Sequence, residues 1–474
     1  MVYGSTALDM ITLTTAGNIL LCGLIALLTP YSTQAQQRPK ALRPGITIEK
    51  FMSVGPGCVR LLQNPVSKDF FYTTFPGEVY RVRTQTGKPV ATRIFTAKDH
   101  GITRLQGAAF NDNTLFLVGN ISVNNGRGTK GRMVRYQFQP SGKGVMSVVF
   151  MTEEIGSTKT LYDHGFNGIA ISPDGRYAYV SSGARTDHGE VQDNDGHYPN
   201  ARDEPLTACI LRIPTNATNL LLPNDGTKLK AAGYLFAEGI RNAYSLAFAP
   251  NGHLFAVSNS SDYDHPEDMF WLREGHHYGF PWVMGGVDNP QQFPDWDADP
   301  KKDPFINTRS HAHTARYFHN DPTFPKRPTK ITPSVQNLGP DANQYRDRTT
   351  GNIKDADKEG ITLGTFTAHR SPLGLVFDRD SAVGGNMTGD GFVLSWSNGR
   401  KSPLMRPIAL DGEDLMHLKL SYRRETDNYV VQTTKIAQGF NSPTDALLIG
   451  NVIYVLEYGN PSGSIWKITL PRAR

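Results

Sequence analysis

The stretch Tyr234–Gly286, YLFAEGIRNAYSLAFAPNGHLFAVSNSSDYDHPEDMFWLREGHHYGFPWVMGG, decides how the chain is read. Two apolar runs separated by Pro250-Asn251-Gly252 have the pattern of paired strands joined by a tight turn. Arg241-Asn242 precede the first run, and a polar, acidic loop containing Glu267-Asp268 follows the second. Polar and charged groups thus stand at strand ends, where a rigid sheet presents its chemistry.

Working outward, the same theme of strand, turn and strand recurs. It is present in DFFYTTFPGEVYRVRT from Asp69, QGAAFNDNTLFLVG from Gln106 and NGIAISPDGRYAYVSSG from Asn167. It returns in YSLAFAPNGHLFAVSNS from Tyr244, LGLVFDRDSAVGGNMTGDGFVLSWSNG from Leu373 and TDALLIGNVIYVLEYG from Thr444. Third strands are expected in GRMVRYQF from Gly131, CILRIP from Cys209, DMFWL from Asp268, RPIAL from Arg406 and GSIWKITL from Gly463. About six repeats of some four strands each, spaced by tens of residues, predict an all-β, six-bladed β-propeller with long loop insertions. A solenoid would have more uniform repeats; a closed ring tolerates uneven loops.

Composition agrees with this organisation. Within 474 residues, 46 Gly, 31 Pro and 19 Tyr favour turns and strands over long helices, and 38% hydrophobic residues suffice for thin layers between sheets. A net charge of +5 without a basic cluster argues against a nucleic-acid partner. The apolar run Asn18–Leu28 followed by Thr33-Gln34-Ala35 is laid out as a signal peptide over residues 1–35, too short for a dependable membrane span. A retained N-terminal anchor is the other reading of that run. A secreted or periplasmic protein with no stable membrane insertion after leader removal is expected, with a connector over 36–48 and the propeller over 49–474. Cys58 and Cys209 would be free to pair there, though separation in sequence says nothing of their distance. Two insertions stand out: Arg185 to Pro205, read as a solvated surface loop, and about 287–359, whose aromatic residues predict a packed cap.

Several polar groups are candidates for chemistry. His164, beside Asp163 and just ahead of a strand, is suited to take a proton from a hydroxyl group, with the carboxylate holding its tautomer; the plainer reading is a solvated turn. Arg241 can hold a carboxylate of an anionic ligand and Asn242 can donate to a carbonyl, or the arginine can serve as a structural cap between blades. The loop Asn259–Asp268 is rich in oxygens of the kind calcium takes, without EF-hand spacing; an ion-free acidic turn is the alternative. His369 would line the mouth or fill a turn, and Lys401 offers a cation.

The segment GIRNAYSLAFAPNGHLFAVS with its acidic pair and His-Tyr-Gly-Phe-Pro-Trp loop resembles the glucose/sorbosone dehydrogenase family, secreted six-bladed propellers that oxidise sugars with pyrroloquinoline quinone (PQQ) and calcium. Asp163-His164 followed by Ser172-Pro173-Asp174-Gly175, and His369-Arg370-Ser371-Pro372-Leu373-Gly374-Leu375, extend the likeness over most of the chain. The resemblance implies that His164 is the general base with Asp163, and that Arg241 and Asn242 contact cofactor and substrate. It further implies that His369 lies near the cofactor, to which Lys401, following the strand expected to end at Trp396, would offer a cation. Ser260 and Ser261 would be carbonyl donors to calcium, with Glu267, Asp268 and Tyr278 nearby. The implied activity is a PQQ-dependent sugar dehydrogenase oxidising an aldose or sugar aldehyde and passing electrons to a soluble or membrane acceptor. A non-catalytic extracellular propeller binding a glycan or protein is the alternative. The family's arginine pair before the last blade is replaced here by Ser442-Pro443-Thr444-Asp445.

Overall fold

The computed structural model describes residues 38–84, 87–139, 144–156, 160–191, 202–319, 321, 323–397, 408 and 412–473. The leader and Lys401 lie outside them. Six antiparallel sheets follow one another along the chain as the blades of a propeller. The first blade is Cys58–Gln63, Phe70–Thr74, Val79–Arg83 and Val90–Phe95; the second is Arg104–Asn111, Thr114–Val123, Gly128–Gln137 and Val145–Thr152. The third is Phe166–Ile171, Tyr177–Ser182, Cys209–Pro214 and Leu235–Glu238, and the fourth has only Ser245–Phe248, Leu254–Ser258 and Asp268–Leu272. The fifth is Pro372–Phe377, Gly391–Ser395, Asp414–Arg423 and Asn428–Gln438, and the sixth is Pro443–Ile449, Val452–Glu457, Gly463–Thr469 and Thr47–Val54.

The first strand of every blade touches the first strand of the next, and the sixth returns to the first, so the ring is closed. Closure is made by Thr47–Val54, which pairs antiparallel with Gly463–Thr469 and ties the chain's two ends into one sheet. The span expected as a connector therefore carries structure: Lys40–Ala41 pairs with Ala437–Gln438 at the outer edge of the fifth blade, and the closing strand begins at Thr47. Its alternation of exposed and half-buried residues is that of an edge strand, which apolar content alone does not reveal. Two further expectations are corrected. The first repeat begins one strand earlier, at Cys58–Gln63, and the third strand of the fifth blade is Asp414–Arg423; RPIAL, apart from Ile408, lies outside the described residues.

Hydrophobic cores fill each interface between neighbouring blades. Between the second and third blades, for example, Phe116, Met133, Phe150, Phe166, Val180 and Leu211 are buried together. Inner strands approach closely on the axis: a Cβ on Gly107 would lie 2.3 Å from the Asn167 carbonyl oxygen, so only glycine fits. Cys58 and Cys209 are buried free thiols on different blades, not a disulfide. No helix among the described residues is long and apolar enough to cross a membrane.

The axial channel is blocked partway by Arg60 of the first inner strand. Its guanidinium donates to the carbonyls of Gln106 at 2.6 Å, Tyr244 at 2.6 Å and Asn167 at 3.2 Å, and lies 3.5 Å from the Asp445 carboxylate. On one side of this plug the carboxyl ends of the inner strands line a funnel of about 430 Å³. On the other side the amino ends of those strands and the turns after the second strands form the upper mouth, where Asp163, His164, Arg241, Asn242 and His369 all fall.

Candidate functional site at the upper mouth

His164 and Arg241 face the same end of the ring and are close enough to interact electrostatically. The link is short: the His164 amide donates to the Ala184 carbonyl at 3.2 Å, and the Ala184 amide donates to the Arg241 carbonyl at 2.6 Å. Gly183 makes room for this contact, since a Cβ there would sit 2.6 Å from that of His164. The imidazole Nδ1 lies 3.1 Å from the Ala184 carbonyl oxygen, which sets Nδ1 as the protonated nitrogen. Nε2 is left with no protein hydrogen bond among the described residues and is not enclosed. Burial, and then the Arg241 guanidinium, push the His164 pKa down to about 3, so the ring is a neutral base.

Asp163 does not hold the ring. Its carboxylate accepts from Arg104 at 2.7 Å and pairs with Arg185 at 2.8 Å, and these two cations keep it ionised against the effect of burial. The carbonyl of Ala184 takes over the orienting role expected of Asp163. Asn242 is joined to the same layer through its Oδ1, which accepts from Asn167 Nδ2 at 2.7 Å.

Arg241 is already engaged. Its Nε donates to the Asp187 carbonyl at 2.6 Å, its Nη2 pairs with Asp187 Oδ1 at 2.9 Å, and its Nη1 reaches the Asn259 carbonyl at 3.3 Å. Asp187 belongs to the insertion read as a solvated loop. Instead Arg185, Thr186, Asp187, His188 and Glu190 are buried. The cap makes them so: His188 stacks on Phe318 with centroids 4.5 Å apart, and its Nε2 lies 3.2 Å from the Tyr317 carbonyl oxygen. Burial alone would lower the His188 pKa, but Glu190 and Asp187 push it up to about 9. Phe305, Tyr317 and Phe318 of the 287–359 insertion form one buried cluster with Tyr162 and Tyr263. Nothing local in Thr-Asp-His-Gly-Glu signals burial, because the covering residues lie more than a hundred positions away.

The acidic loop is divided in its commitments. Asn259 Oδ1, Ser260 Oγ and Glu267 Oε2 are buried oxygens with no protein partner among the described residues, whereas Ser261 Oγ accepts from the Tyr263 amide at 3.2 Å. Burial raises the Glu267 carboxyl to about 8 and the Asp268 carboxyl to about 7. Asp268 accepts from the Gly285 amide at 2.9 Å, and the Tyr278 hydroxyl is spent on the Trp271 carbonyl at 2.6 Å and the Arg273 amide at 2.7 Å. These two therefore stand apart from the unpaired oxygens with which they were grouped. His369 Nε2 lies 2.7 Å from Asp264, whose other oxygen accepts from Arg346 at 2.6 Å.

The donor chemistry separates the two cofactors. Unpaired hard oxygens suit a calcium ion, with Asn259, Ser260 and Glu267 as side-chain candidates, although among the described residues no three His, Cys, Asp or Glu side chains are arranged to hold a metal by themselves. PQQ needs cations for three carboxylates. Among the described residues, Arg104 and Arg185 pair with Asp163, Arg241 with Asp187, Arg346 with Asp264 and Arg370 with Asp414. These side chains fit calcium and do not, as they stand, fit the quinone.

No sequence-family profile and no curated protein matches the chain. Solved structures do. A glucose dehydrogenase superposes with a TM-score of 0.53 at 14% identity, over 89% of this chain and 98% of that one. The PQQ domain of pyranose dehydrogenase from Coprinopsis cinerea, in its holo form, gives 0.52 at 12% identity over 93% and 99%. The soluble aldose sugar dehydrogenase of Escherichia coli, in its apo form, gives 0.52 at 13% identity over 90% and 99%. At these identities the likeness is one of fold. The chain has the six-bladed propeller fold of the soluble PQQ-type glucose and aldose sugar dehydrogenases.

Proposed function

We propose that the protein is an oxidoreductase of the sugar-dehydrogenase type, acting on a hydroxyl of an aldose or related sugar at the upper mouth. The observation that carries this reading is His164. A neutral imidazole with Nδ1 tied to a backbone carbonyl and Nε2 unpaired is prepared to accept a hydroxyl proton at Nε2. Asn242 stands beside it to orient the sugar. Calcium would be held by Asn259, Ser260 and Glu267. PQQ is the cofactor implied by the fold relatives, and would accept hydride when bound, but Arg241 is already paired to Asp187. The apolar run Asn18–Leu28 supports export, which N-terminal sequencing of the protein recovered outside the cytoplasm would check.

The test is sugar-dependent dye reduction by purified protein supplied with calcium and PQQ. His164→Ala is expected to lose about 100-fold or more in kcat/KM. The low pKa of His164 keeps its base form present through the mildly acidic range, so the acid limb of the wild-type profile should fall well below pH 6.5. A second reading, a non-catalytic propeller that binds a glycan at this mouth, is favoured by the pairing of every described mouth arginine. Sugar binding by calorimetry without dye reduction under any of these conditions would select it.

A further inference from the structure

We propose that Asp187 is an internal substitute for a ligand carboxylate on Arg241, so that the folded mouth discriminates against anionic ligands and favours neutral ones. The inference rests on the oxidoreductase reading of the same mouth and specifies what that mouth admits. Three donors of Arg241 are used within the chain, two of them on Asp187. The Asp187 carboxylate is itself fully enclosed, accepting from the Asp262 amide at 3.0 and 3.3 Å and facing His188 Nδ1 at 2.9 Å.

The loop that carries it is built to stay. Glu190 accepts from the Asp187 amide at 2.9 Å and from the His188 amide at 2.7 Å, and Thr186 bonds to Asp203. Asn289 of the cap donates to the His188 carbonyl at 2.7 Å. An incoming carboxylate meets Arg241 already neutralised, and can take the two-point contact along its Nε–Nη2 edge only by displacing Asp187. Displacement would strand a buried carboxylate against the cap, while the Arg241 charge gained by the ligand would be lost by the chain. A neutral sugar faces no such exchange.

The experiment compares PQQ with its neutral trimethyl ester, each titrated into the full-length protein at constant calcium and followed by tryptophan fluorescence. Wild type is expected to bind the ester about 10-fold more tightly than the triacid. Asp187→Asn, which keeps the side-chain shape, is expected to reverse that preference, and Arg241→Gln in the Asp187→Asn background to abolish the gain. Wild type preferring the triacid, or Asp187→Asn leaving the ratio unchanged, overturns the proposal and leaves the oxidoreductase reading in place. If neither probe binds either protein, the quinone is excluded and the proposal falls with it. Should Asp187→Asn fail to fold, the wild-type ratio decides alone.

Discussion

At the scale of single residues, the pair that could be found in the sequence was His164 with Arg241. Each stands a few positions ahead of an inner strand, and the amino ends of all inner strands collect at one mouth. The group that could not be found was Asp187–His188–Glu190, because its burial is conferred by Tyr317 and Phe318 from a distant part of the chain. Its clearest signature lies in the His188 imidazolium. A folded pKa of about 9 against an unfolded value near 6.5 means that the proton is held more tightly in the native state. The stabilisation this gives is complete below about pH 6.5 and is lost as the pH rises through about 9. Melting curves between pH 6 and 10 should therefore show wild type losing on the order of 3 kcal/mol across this window. His188→Gln, less stable at pH 6, should lose that much less over the same range, its remaining slope confined to the part below about pH 8 where Asp268 and Glu267 titrate.

At the scale of elements, turn chemistry identified most of the first and second strands, as Pro250-Asn251-Gly252 did between Ser245–Phe248 and Leu254–Ser258. Strands whose partners are remote were harder to see. Cys58–Gln63 has a charged residue at its centre because Arg60 points into the channel, and Thr47–Val54 has a polar edge because it closes the ring from outside. The cap is an element of another kind, held by a small aromatic cluster with few regular hydrogen bonds. Phe318 is its key, since it packs on both Tyr263 and His188. Phe318→Ala should cost about 3 kcal/mol. Because the loss is local, amide exchange should rise first in Thr186–Glu190 while the inner strands keep their protection.

At the scale of the whole molecule, a ring of six sheets leaves an axis to be filled, and this chain fills it with a charge. Arg60 gathers carbonyls from the second, third and fourth sectors and faces Asp445 of the sixth, whose carboxylate also accepts the Leu61 amide at 2.9 Å. The Tyr244 ring lies 3.9 Å from the guanidinium, completing the block. This contact separates the funnel below from the mouth above, and it couples blades that otherwise touch only their neighbours. Burial pushes the Asp445 carboxyl up while Arg60 opposes it, so the pair carries an unfavourable desolvation that is offset largely by mutual contact. Removing one partner should therefore be far worse than removing both. Arg60→Met and Asp445→Leu are each expected to destabilise by about 3–5 kcal/mol, whereas the double replacement Arg60→Met, Asp445→Leu should recover most of that loss. Urea unfolding of the two single variants and the double variant measures the coupling. Strictly additive losses would mean that the ring is held by its inter-blade cores alone, with the axial ion pair contributing nothing to closure.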